Sequence, residues 1–452
     1  MSIFKTKLNN YTQNFHVSKE NKSLYGEVRT DFKLIEQMFN LIPNELFKNP
    51  SLKWCDPCCG NGYFSIFLYF HLFKNLTEIK SLKKKHEQII NMMTMIEINK
   101  EYQKDLLSLF GEKSNILSKN FFEHNEKFDI IIGNPPFNCN GMKKVPTQTK
   151  ISKKEDGKNA WVPFLKHSIS CLKPNGYLLF ITPSIWMKKD HPCFEFINKY
   201  KIHKIHTLTN TETNKIFHKQ AQTPTCFFLL QKKPSDKNIL IYDKQLLTYT
   251  NYQVNQSIPL LGISIINKLK SFVDKYGCIK AIKTSIRPSY KSFKLSDVKS
   301  SSFPYPNIST CKLNGLSPEL VIHWSNKKLK YSDNIKLVLA HKMYGFPYLD
   351  KGELGICNRD NYVILGEEKD LLRLQQFLST TFSLFLFETT RYRMKYLERY
   401  IFELIPNICN IPDFPEIIHD SSIMDFFKIT DVERKMIMGF FKKKYKFFVK
   451  TI

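Results

Sequence analysis

The first half of the chain predicts an α/β fold in which a mostly parallel sheet is covered by helices on both faces. Short apolar segments alternate with helical patterns, as βαβ units require. A glycine turn and a proline turn follow two of these segments, at the edge where open α/β sheets bind ligands. The predicted strands are Leu52 to Asp56, Met92 to Glu97, Asn115 to Ser118, Phe128 to Gly133, Gly176 to Thr182, Lys204 to Leu208 and Thr225 to Gln231.

The glycine turn follows the first predicted strand. The segment from Trp54 to Phe64 indicates a strand, a turn that contains Gly60 and Gly62, and the start of an apolar helix. Glycine lets the backbone approach a ligand closely at a helix N-terminus, as nucleotide-binding folds require. This spacing alone is a weak signal. It is strengthened by Glu97, which ends the second predicted strand, where an acidic side chain can accept both hydroxyls of a ribose.

The proline turn Asn134-Pro135-Pro136-Phe137 follows the fourth predicted strand. Two prolines stiffen the turn and remove two backbone donors, so the Asn134 amide, the Pro135 carbonyl and the Phe137 ring are held on a nearly fixed frame. A planar amine can donate its two hydrogens to the two acceptors while its ring stacks on Phe137. The four residues also fit a plain turn that ends a strand. The catalytic interpretation is favoured because both turns lie at the carboxyl ends of neighbouring strands.

In their order along the chain, these motifs resemble those of the amino-methyltransferases that use S-adenosylmethionine, in particular the gamma class of adenine DNA methyltransferases found with type II restriction systems. The matching segments are Tyr25 to Thr30, Asp56-Pro57-Cys58-Cys59-Gly60-Asn61-Gly62, Glu97, Asn120-Phe121 and Asn134-Pro135-Pro136-Phe137. The resemblance covers the first half of the chain well. It extends more loosely to Ile405-Pro406-Asn407 and Ile411-Pro412-Asp413-Phe414, which are similar to a recurring feature of these enzymes' recognition domains.

The resemblance implies a class I methyltransferase (Rossmann-like) fold with a seven-stranded, mostly parallel sheet, followed by a C-terminal mixed α+β target-recognition domain. It implies S-adenosylmethionine as cofactor and methyl transfer to the N6 amino group of an adenine that is flipped out of a DNA duplex. The expected protein is a soluble, intracellular enzyme. It is either the modification part of a restriction-modification system or an orphan methylase.

The same resemblance implies a role for each matching residue. The residues expected to bind the cofactor are Thr30, Asp56, Pro57, Gly60, Gly62, Glu97, Asn120, Phe121 and Asn134. The catalytic turn is expected to comprise Asn134, Pro135, Pro136 and Phe137, and Phe137 also stacks on the target base. Asn120 stands where the family usually has aspartate, so it can accept a hydrogen bond from the cofactor's adenine amine but carries no charge.

Length and charge agree with this hypothesis. The chain of 452 residues is long enough for about two or three domains. Its 68 basic and 41 acidic residues give a formal net charge of +27, which favours a polyanionic partner through phosphate contacts and counterion release. Double-stranded DNA is the expected partner, together with a separate cognate restriction endonuclease where the system includes one. The N-terminus lacks a signal-peptide pattern and the longest apolar stretch, Phe64 to Phe73, is too short to span a bilayer.

The cysteine pattern predicts a reducing compartment and no metal site. The chain has 11 cysteines, an odd number scattered through predicted strands and helices, which argues against a disulfide framework. Cys55 and Cys58 form a CxxC, but no second pair follows at zinc-site spacing. Small residues at a tight turn explain this motif better.

Three regions are predicted: an N-terminal extension over residues 1–20, a catalytic domain over 21–234 and a target-recognition domain over 235–452. The boundary rests on the charge and proline between Gln231 and Asp236. Beyond it, basic and aromatic residues interleave, as in Ile286 to Lys291 and Arg391 to Tyr396. Such stretches can pair with phosphates and stack on bases, but they fit helix surfaces that cover a core equally well.

A lysine-rich segment between Asn138 and Asn159 predicts an exposed loop just after the catalytic turn. Its basic side chains, with Lys143 and Lys144 as the substrate-binding candidates, are placed to hold a phosphate backbone beside the extruded base. A solvated insertion without a binding role fits the composition equally well.

Other functions share the same turn. Enzymes that methylate guanine amines in ribosomal RNA, or the glutamine amide of release factors, present a planar nitrogen to the same acceptors. A long basic second half favours duplex DNA over a protein tail, whereas charge does not distinguish DNA from RNA. A catalytically silent nucleic-acid-binding subunit is a third alternative, against which the intact Asn134, Gly60 and Gly62 argue.

Overall fold

The structure, a computed structural model, describes residues 30–138, 160–218, 221, 223–286, 292–314, 317–342, 346–393 and 396–440. The chain forms two compact units. The first ends at Tyr242 and takes in Asn251–Asn255, and the second comprises Asp243–Thr250 and the chain from Gln256 onward. The boundary after residue 234 stays a prediction, and the first sheet continues beyond that residue with a further strand. The predicted extension over residues 1–20 lies outside the described residues.

Helices and strands alternate in the first unit, as the apolar pattern predicts. Its helices are α1 (Phe32–Phe39), α2 (Asn44–Lys48), α3 (Tyr63–Asn75), α4 (Leu82–Met92), α5 (Glu101–Phe110), α6 (Trp161–Ser170), α7 (Phe194–Asn198) and α8 (Asn210–Ile216). The strands of its sheet are β1 (Trp54–Asp56), β2 (Met93–Ile96), β3 (Asn115–Leu117), β4 (Phe128–Gly133), β5 (Leu172–Pro183), β6 (Tyr200–Leu208), β7 (Thr225–Pro234), β8 (Asn238–Asp243) and β9 (Thr248–Gln253). The last residue of β8 and the first three of β9 fall in the range that the division assigns to the second unit. Every predicted strand is therefore present, with ends that differ by a few residues.

These strands form one nine-stranded sheet in the order β3-β2-β1-β4-β5-β7-β6-β8-β9. The strands β3, β2, β1, β4 and β5 run parallel to one another, whereas β7 is antiparallel to both β5 and β6. All residues of β1 and β2 are buried, so both faces of the sheet are covered. The predicted α/β fold with a mostly parallel sheet is confirmed, and β8 and β9 are additional to the seven predicted strands.

The additional strands follow a turn at residues 231–236, where the sequence analysis predicted a domain boundary. Asp236 accepts hydrogen bonds from the backbone N–H of Asn238, at 3.0 Å, and from the Lys201 ammonium, at 2.7 Å. In β8, buried and exposed residues alternate, as expected for a strand with one covered face. Charge and proline at residues 231–236 therefore mark a tight turn within the sheet.

The second unit combines helices with two small sheets, so it has the mixed α+β composition that was expected. Its helices are α9 (Ile263–Tyr276), α10 (Glu368–Leu378), α11 (Thr381–Thr389), α12 (Tyr400–Leu404), α13 (Asp420–Phe426) and α14 (Asp431–Phe440). Its strands are β10 (Ile282–Lys283), β11 (Leu295–Ser296), β12 (Tyr305–Asn314), β13 (Ser317–Ser325), β14 (Ile335–Ala340), β15 (Tyr348–Lys351), β16 (Gly355–Ile356) and β17 (Asn361–Leu365).

One sheet has the order β10-β17-β14-β15 and the other the order β11-β13-β12-β16. Ile308 and Ile356 from the second of these sheets share one buried apolar cluster with Val338 and Val363 from the first. The two sheets therefore pack against each other over a common core. Among the helices in the described part of the chain, none is long and apolar enough to cross a membrane.

Candidate active site

The candidate site lies where three adjacent parallel strands end. Trp54 at the start of β1 is paired with Met93 in β2 on one side and with Ile130 in β4 on the other. Because these strands run in the same direction, the segments that follow them emerge at one edge of the sheet. Asp56 is the last residue of β1, Glu97 follows β2, and Asn134 follows β4. The fold therefore brings the glycine turn, the acidic residue and the proline turn together, as predicted.

The glycine turn is tied to the end of β2 by hydrogen bonds. The backbone N–H of Cys59 donates to the carbonyl of Ile96 at 3.0 Å, and that of Gly60 donates to Glu97 Oε2 at 2.7 Å. The second carboxylate oxygen, Oε1, accepts from the backbone N–H of Asn99 at 2.8 Å. Burial raises the pKa of Glu97, and these backbone donors oppose the shift. Glu97 thus orders the turn and still has lone pairs for a ligand.

The two glycines of this turn have different functions. Gly62 has φ of 82° at the start of α3, and a β-carbon there would lie 2.6 Å from Leu106 Cδ2, so a larger residue would strain the backbone and clash. Gly60 has φ of 52°, and a β-carbon there would meet no heavy atom within 4 Å. The backbone at Gly60, which donates to the Glu97 carboxylate, therefore borders open space.

Asp56 is a buried carboxylate, and only one of its two oxygens accepts a hydrogen bond from a described side chain. Its Oδ2 accepts a hydrogen bond from the Ser65 hydroxyl at 2.9 Å, whereas its Oδ1 has no partner among the described residues. Burial raises the pKa of Asp56 to about 7, although the hydrogen bond from Ser65 partly opposes this. A β-carbon at Gly133 would lie 3.4 Å from Asp56 Oδ1, so glycine at the end of β4 leaves room at this oxygen.

The proline turn also contains a buried oxygen that accepts no hydrogen bond from the described residues. Asn134 Nδ2 donates to Thr30 Oγ1 at 3.0 Å, while Asn134 Oδ1 is buried and without a partner in the described ranges. The Cys58 thiol lies 3.5 Å from the backbone carbonyl of Asn134 and donates to it, which links the two turns. Pro135 is buried. Asn134 Oδ1 and the carbonyl of the next residue are therefore acceptors on a turn whose geometry is constrained from two sides.

Phe137 ends this turn and is 8% exposed. Its ring makes an edge contact with the ring of Phe217, with centroids 6.2 Å apart and planes at 71°. Phe217 follows the short helix α8, which begins after β6 with a capping box formed by Thr209 and Glu212. Sequence reasoning missed Phe217. The sequence did contain a signal for it, because Phe217 comes just after a helix that starts at the carboxyl end of a sheet strand, where ligands bind in this type of fold.

Comparison with known proteins gives the first unit a family. Residues 11–217 match the Eco57I restriction-modification methylase family. These residues are similar to a restriction-modification methylase, and we name them the methylase domain after this similarity. A putative type II restriction enzyme and methyltransferase of Methanocaldococcus jannaschii is 35% identical over 124 residues, which are 26% of this chain and 10% of that protein. The type II methyltransferase M.VspI of a Vibrio species (strain 343) is 26% identical over 187 residues, which are 38% of this chain and 40% of that protein.

The chain thus spans 10% and 40% of the lengths of these two relatives. Among solved structures, the M protein of the type I restriction enzyme EcoKI aligns with 49% of this chain and 49% of its own at 19% identity and a TM-score of 0.37. The type IIG restriction endonuclease BpuSI aligns with 94% of this chain and 66% of its own at 11% identity and a TM-score of 0.43.

S-adenosylmethionine is the cofactor that the similarity to methylases indicates, and the site contains groups that suit it. Gly60 leaves open space beside its backbone, and the buried carboxylate of Glu97 has acceptor capacity for ribose hydroxyls. Asp56 Oδ1 is a buried acceptor without a partner among the residues that the structure describes. A cofactor with several donors would satisfy buried groups that otherwise cost free energy.

Two of the residues that were predicted to bind the cofactor, Asn120 and Phe121, make contacts that are structural. Asn120 Oδ1 accepts from the backbone N–H of Phe122 at 3.2 Å and so caps a short 3₁₀ turn. Phe121 is buried and stacks on Phe164, with ring centroids 5.6 Å apart. In the methylase domain these two residues therefore have a clear structural function, and their contact with a cofactor stays a prediction. Lys143 and Lys144 lie outside the described residues.

The basic and aromatic stretch from Arg391 to Tyr396 is engaged within its own unit. The Arg391 guanidinium donates to both carboxylate oxygens of Glu388, at 2.8 and 2.9 Å. The Arg393 guanidinium makes a bidentate pair with Glu398, at 2.6 and 2.9 Å, and lies over the ring of Tyr396. These contacts support the structural interpretation of the stretch. The stretch from Ile286 to Lys291 lies mostly outside the described residues.

Proposed function

We propose that this protein is a site-specific DNA methyltransferase that transfers a methyl group from S-adenosylmethionine to the N6 amino group of an adenine. The observation that carries the proposal is the pair of acceptors on the proline turn. Asn134 Oδ1 has no partner in the described part of the chain, and it lies one residue from the Pro135 carbonyl on a turn stiffened by two prolines. Two fixed acceptors match an amine that carries two hydrogens.

The chemistry requires more than binding. The lone pair of an aromatic amine is delocalised into the ring, so the nitrogen is a weak nucleophile. Acceptance of its two hydrogens by Asn134 Oδ1 and the Pro135 carbonyl would bend the amine toward tetrahedral geometry and aim the lone pair out of the ring plane. The cofactor supplies an electrophilic methyl group on a positively charged sulfur. No metal or covalent enzyme intermediate is part of this mechanism.

The aromatic residues of the turn suit a base that has left its duplex. In the proposed complex the base stacks on Phe137, and the edge contact from Phe217 supports the Phe137 ring. A base inside a duplex cannot reach acceptors at the carboxyl edge of a sheet, so the target adenine would have to flip out. In this role Phe217 is a supporting residue that the sequence motifs do not include.

Charge and family favour DNA as the substrate. The formal net charge of +27 suits a polyanion, and one relative's name, a type II restriction enzyme and methyltransferase, combines the two activities of a restriction-modification system. We propose that the second unit recognises the DNA target and that a cognate endonuclease acts on the same sequence. The surfaces of this unit that would contact bases stay unassigned to particular residues.

The test is transfer of labelled methyl groups from S-adenosylmethionine to duplex DNA, to RNA of matched sequence and to protein extract. Each product is digested, and the modified nucleoside or amino acid is identified by mass. We expect N6-methyladenine in DNA. Label on RNA or on a glutamine amide would contradict the proposed substrate, and absence of label from every acceptor despite cofactor binding would indicate a silent binding subunit.

A further inference from the structure

The amide of Asn134 has one described side-chain partner, and that partner comes from the segment before α1. Thr30 is 5% exposed, and its Oγ1 accepts from Asn134 Nδ2 at 3.0 Å. We propose that Thr30 is a positioning residue that orients the Asn134 amide for methyl transfer. The role rests on the proposed function, since it gives the amide oxygen a task in catalysis.

The amide needs such a partner because its two ends are chemically opposite. The oxygen of Asn134 accepts hydrogen bonds and the nitrogen donates them, and the torsion that exchanges the two is soft. If Asn134 Nδ2 were directed at the target amine, two N–H donors would face each other, and the substrate could not bind productively. In the structure, Asn134 Nδ2 donates its hydrogen bond to Thr30 Oγ1, so Asn134 Oδ1 is the end of the amide that can accept from the amine. That oxygen is buried and without a partner among the described residues.

Thr30 is well anchored for this purpose. The next residue, Asp31, caps α1 by accepting from the backbone N–H of Lys33 at 2.8 Å. The first residue of α1, Phe32, packs its ring against Tyr63 at the start of α3, with centroids 4.7 Å apart. The position of the Thr30 hydroxyl is therefore set by a helix that is packed on the same glycine turn as the cofactor site.

This role differs in its consequences from the role that the family resemblance implies. A residue that binds the cofactor through its hydroxyl would, when altered, weaken S-adenosylmethionine binding. A residue that orients Asn134 would, when altered, lower the rate of transfer at saturating cofactor and leave cofactor affinity in place. Kinetic constants and a binding constant measured on the same variants distinguish the two.

The main variants are Thr30→Val, which removes the acceptor while keeping a branched side chain, and Thr30→Ser, which restores it. We expect Thr30→Val to lower kcat by about tenfold to a hundredfold and to leave the Kd for S-adenosylmethionine within about twofold, measured by calorimetry. Thr30→Ser should recover kcat to within about threefold of the unaltered enzyme. Thr30→Ala, which also lacks the acceptor, replaces Thr30→Val if the latter does not fold.

A second readout does not depend on activity. In protein labelled with ¹⁵N at asparagine, the side-chain amide resonance of Asn134 is assigned by its loss in Asn134→Asp. It should shift in Thr30→Val, because one amide hydrogen loses its acceptor, and return in Thr30→Ser.

Thr94 provides a matched control. It is 6% exposed, and its Oγ1 accepts from Asn115 Nδ2 at 2.8 Å. Thr94→Val therefore removes the same type of hydrogen bond at another place, between strands β2 and β3, and should leave kcat and the Asn134 resonance unchanged.

Two results would overturn the role of Thr30: a raised Kd for S-adenosylmethionine with kcat preserved in Thr30→Val, or an Asn134 resonance that Thr30→Val does not move. Both measurements use whichever acceptor the unaltered enzyme methylates. If that acceptor is RNA or protein, the proposed substrate is wrong, while the comparison of kcat with Kd still decides the role of Thr30. The resonance decides it even for an enzyme that transfers no methyl group.

Discussion

Buried polar groups are hydrogen-bonded differently in two regions: the edge of the first unit's sheet that holds the candidate active site, and the core of the second unit. In the second unit, the side chains of Lys336 and Asp350 are 0% and 1% exposed and form an ion pair. The Lys336 ammonium also donates to the backbone carbonyls of Tyr331, at 2.8 Å, and Leu354, at 2.6 Å. At the active-site edge, Asn134 Oδ1 is buried with no partner in the described ranges.

This difference separates groups that stabilise a fold from groups that await a ligand. A buried polar atom without a partner costs about 1–3 kcal/mol, so it persists where another function requires it. One such atom is not diagnostic, because Asn361 Oδ1 in the second unit also lacks a partner among the described residues. What distinguishes the active-site edge is that Asp56 and Asn134, each with an unpartnered oxygen, lie at the ends of adjacent parallel strands.

The largest effect that would sharpen the comparison is expected for Asn134→Ala. Removal of the amide oxygen should lower kcat by about 10³-fold or more, because the transition state loses a fixed acceptor. The Kd for S-adenosylmethionine should change little, since the amide oxygen faces the amine in this proposal, and stability loses only the hydrogen bond from Asn134 Nδ2 to Thr30 Oγ1. Single-turnover methyl transfer and calorimetry measure the two quantities.

Asn115→Ala is the control for this variant, because Asn115 also donates its amide to a threonine hydroxyl, at 2.8 Å, but does so on β3. It should retain turnover. Equal losses of cofactor binding and transfer in Asn134→Ala would argue that Asn134 holds the cofactor rather than the amine.

Lys336→Met tests the other side of the comparison. It leaves Asp350 as a buried carboxylate without its cation, so the free energy of unfolding should fall by about 3–5 kcal/mol. Urea unfolding of the full chain measures this. Lys351→Met is the control, since Lys351 pairs with Glu368 at 2.7 Å but is 64% exposed, so its loss should leave the free energy of unfolding nearly unchanged. Similar costs for the two variants would mean that burial of the pair contributes nothing.

Glu97→Gln should have an intermediate effect on the cofactor. The variant loses the charge and one of two acceptor oxygens, so either Gly60 or Asn99 would lose its bond to the side chain. We expect the Kd for S-adenosylmethionine to rise about tenfold, which corresponds to about 1.4 kcal/mol, with kcat at saturating cofactor nearly unchanged. Glu126→Gln, altered at a side chain that is 77% exposed, is the control. An unchanged Kd would exclude Glu97 from the cofactor site.

The smallest expected effect is a pH dependence due to Asp56. Its folded-state pKa of about 7 lies above the ordinary value of 3.8, so its stabilising contribution is complete below pH 3.8 and is lost as the pH rises through about 7. Asp56→Asn removes this loss. In the cofactor-free protein, its Tm should exceed that of the unaltered chain by about 2–4 °C at pH 8 and by less at pH 5.

Calorimetric scans at both pH values check this prediction, with Asp190→Asn as a control at a side chain that is 45% exposed. A difference in Tm that is the same at pH 5 and pH 8 would show that Asp56 does not titrate in this range.

The fold of the first unit could be predicted from local patterns, whereas some contacts of the site could not. Apolar runs and turn residues determine where strands begin and end, and the predicted strand Phe128 to Gly133 matches β4 residue for residue. The bond between Thr30 and Asn134 joins residues 104 positions apart. No local pattern encodes a contact between residues so far apart, and the contact of Phe217 with Phe137 is also of this kind.

The sequence by itself determined the order of strands and turns, the chemistry of the proline and glycine turns, and a basic chain suited to a polyanion. Only the tertiary structure decided which polar groups have hydrogen-bond or ion-pair partners within the protein. Arg391 and Arg393 have carboxylate partners, Asp56 has a raised pKa, and Asn134 has its nitrogen engaged and its oxygen in reserve. The physical reason is that secondary structure follows from neighbours along the chain, whereas burial and hydrogen bonding depend on partners that folding brings from far away.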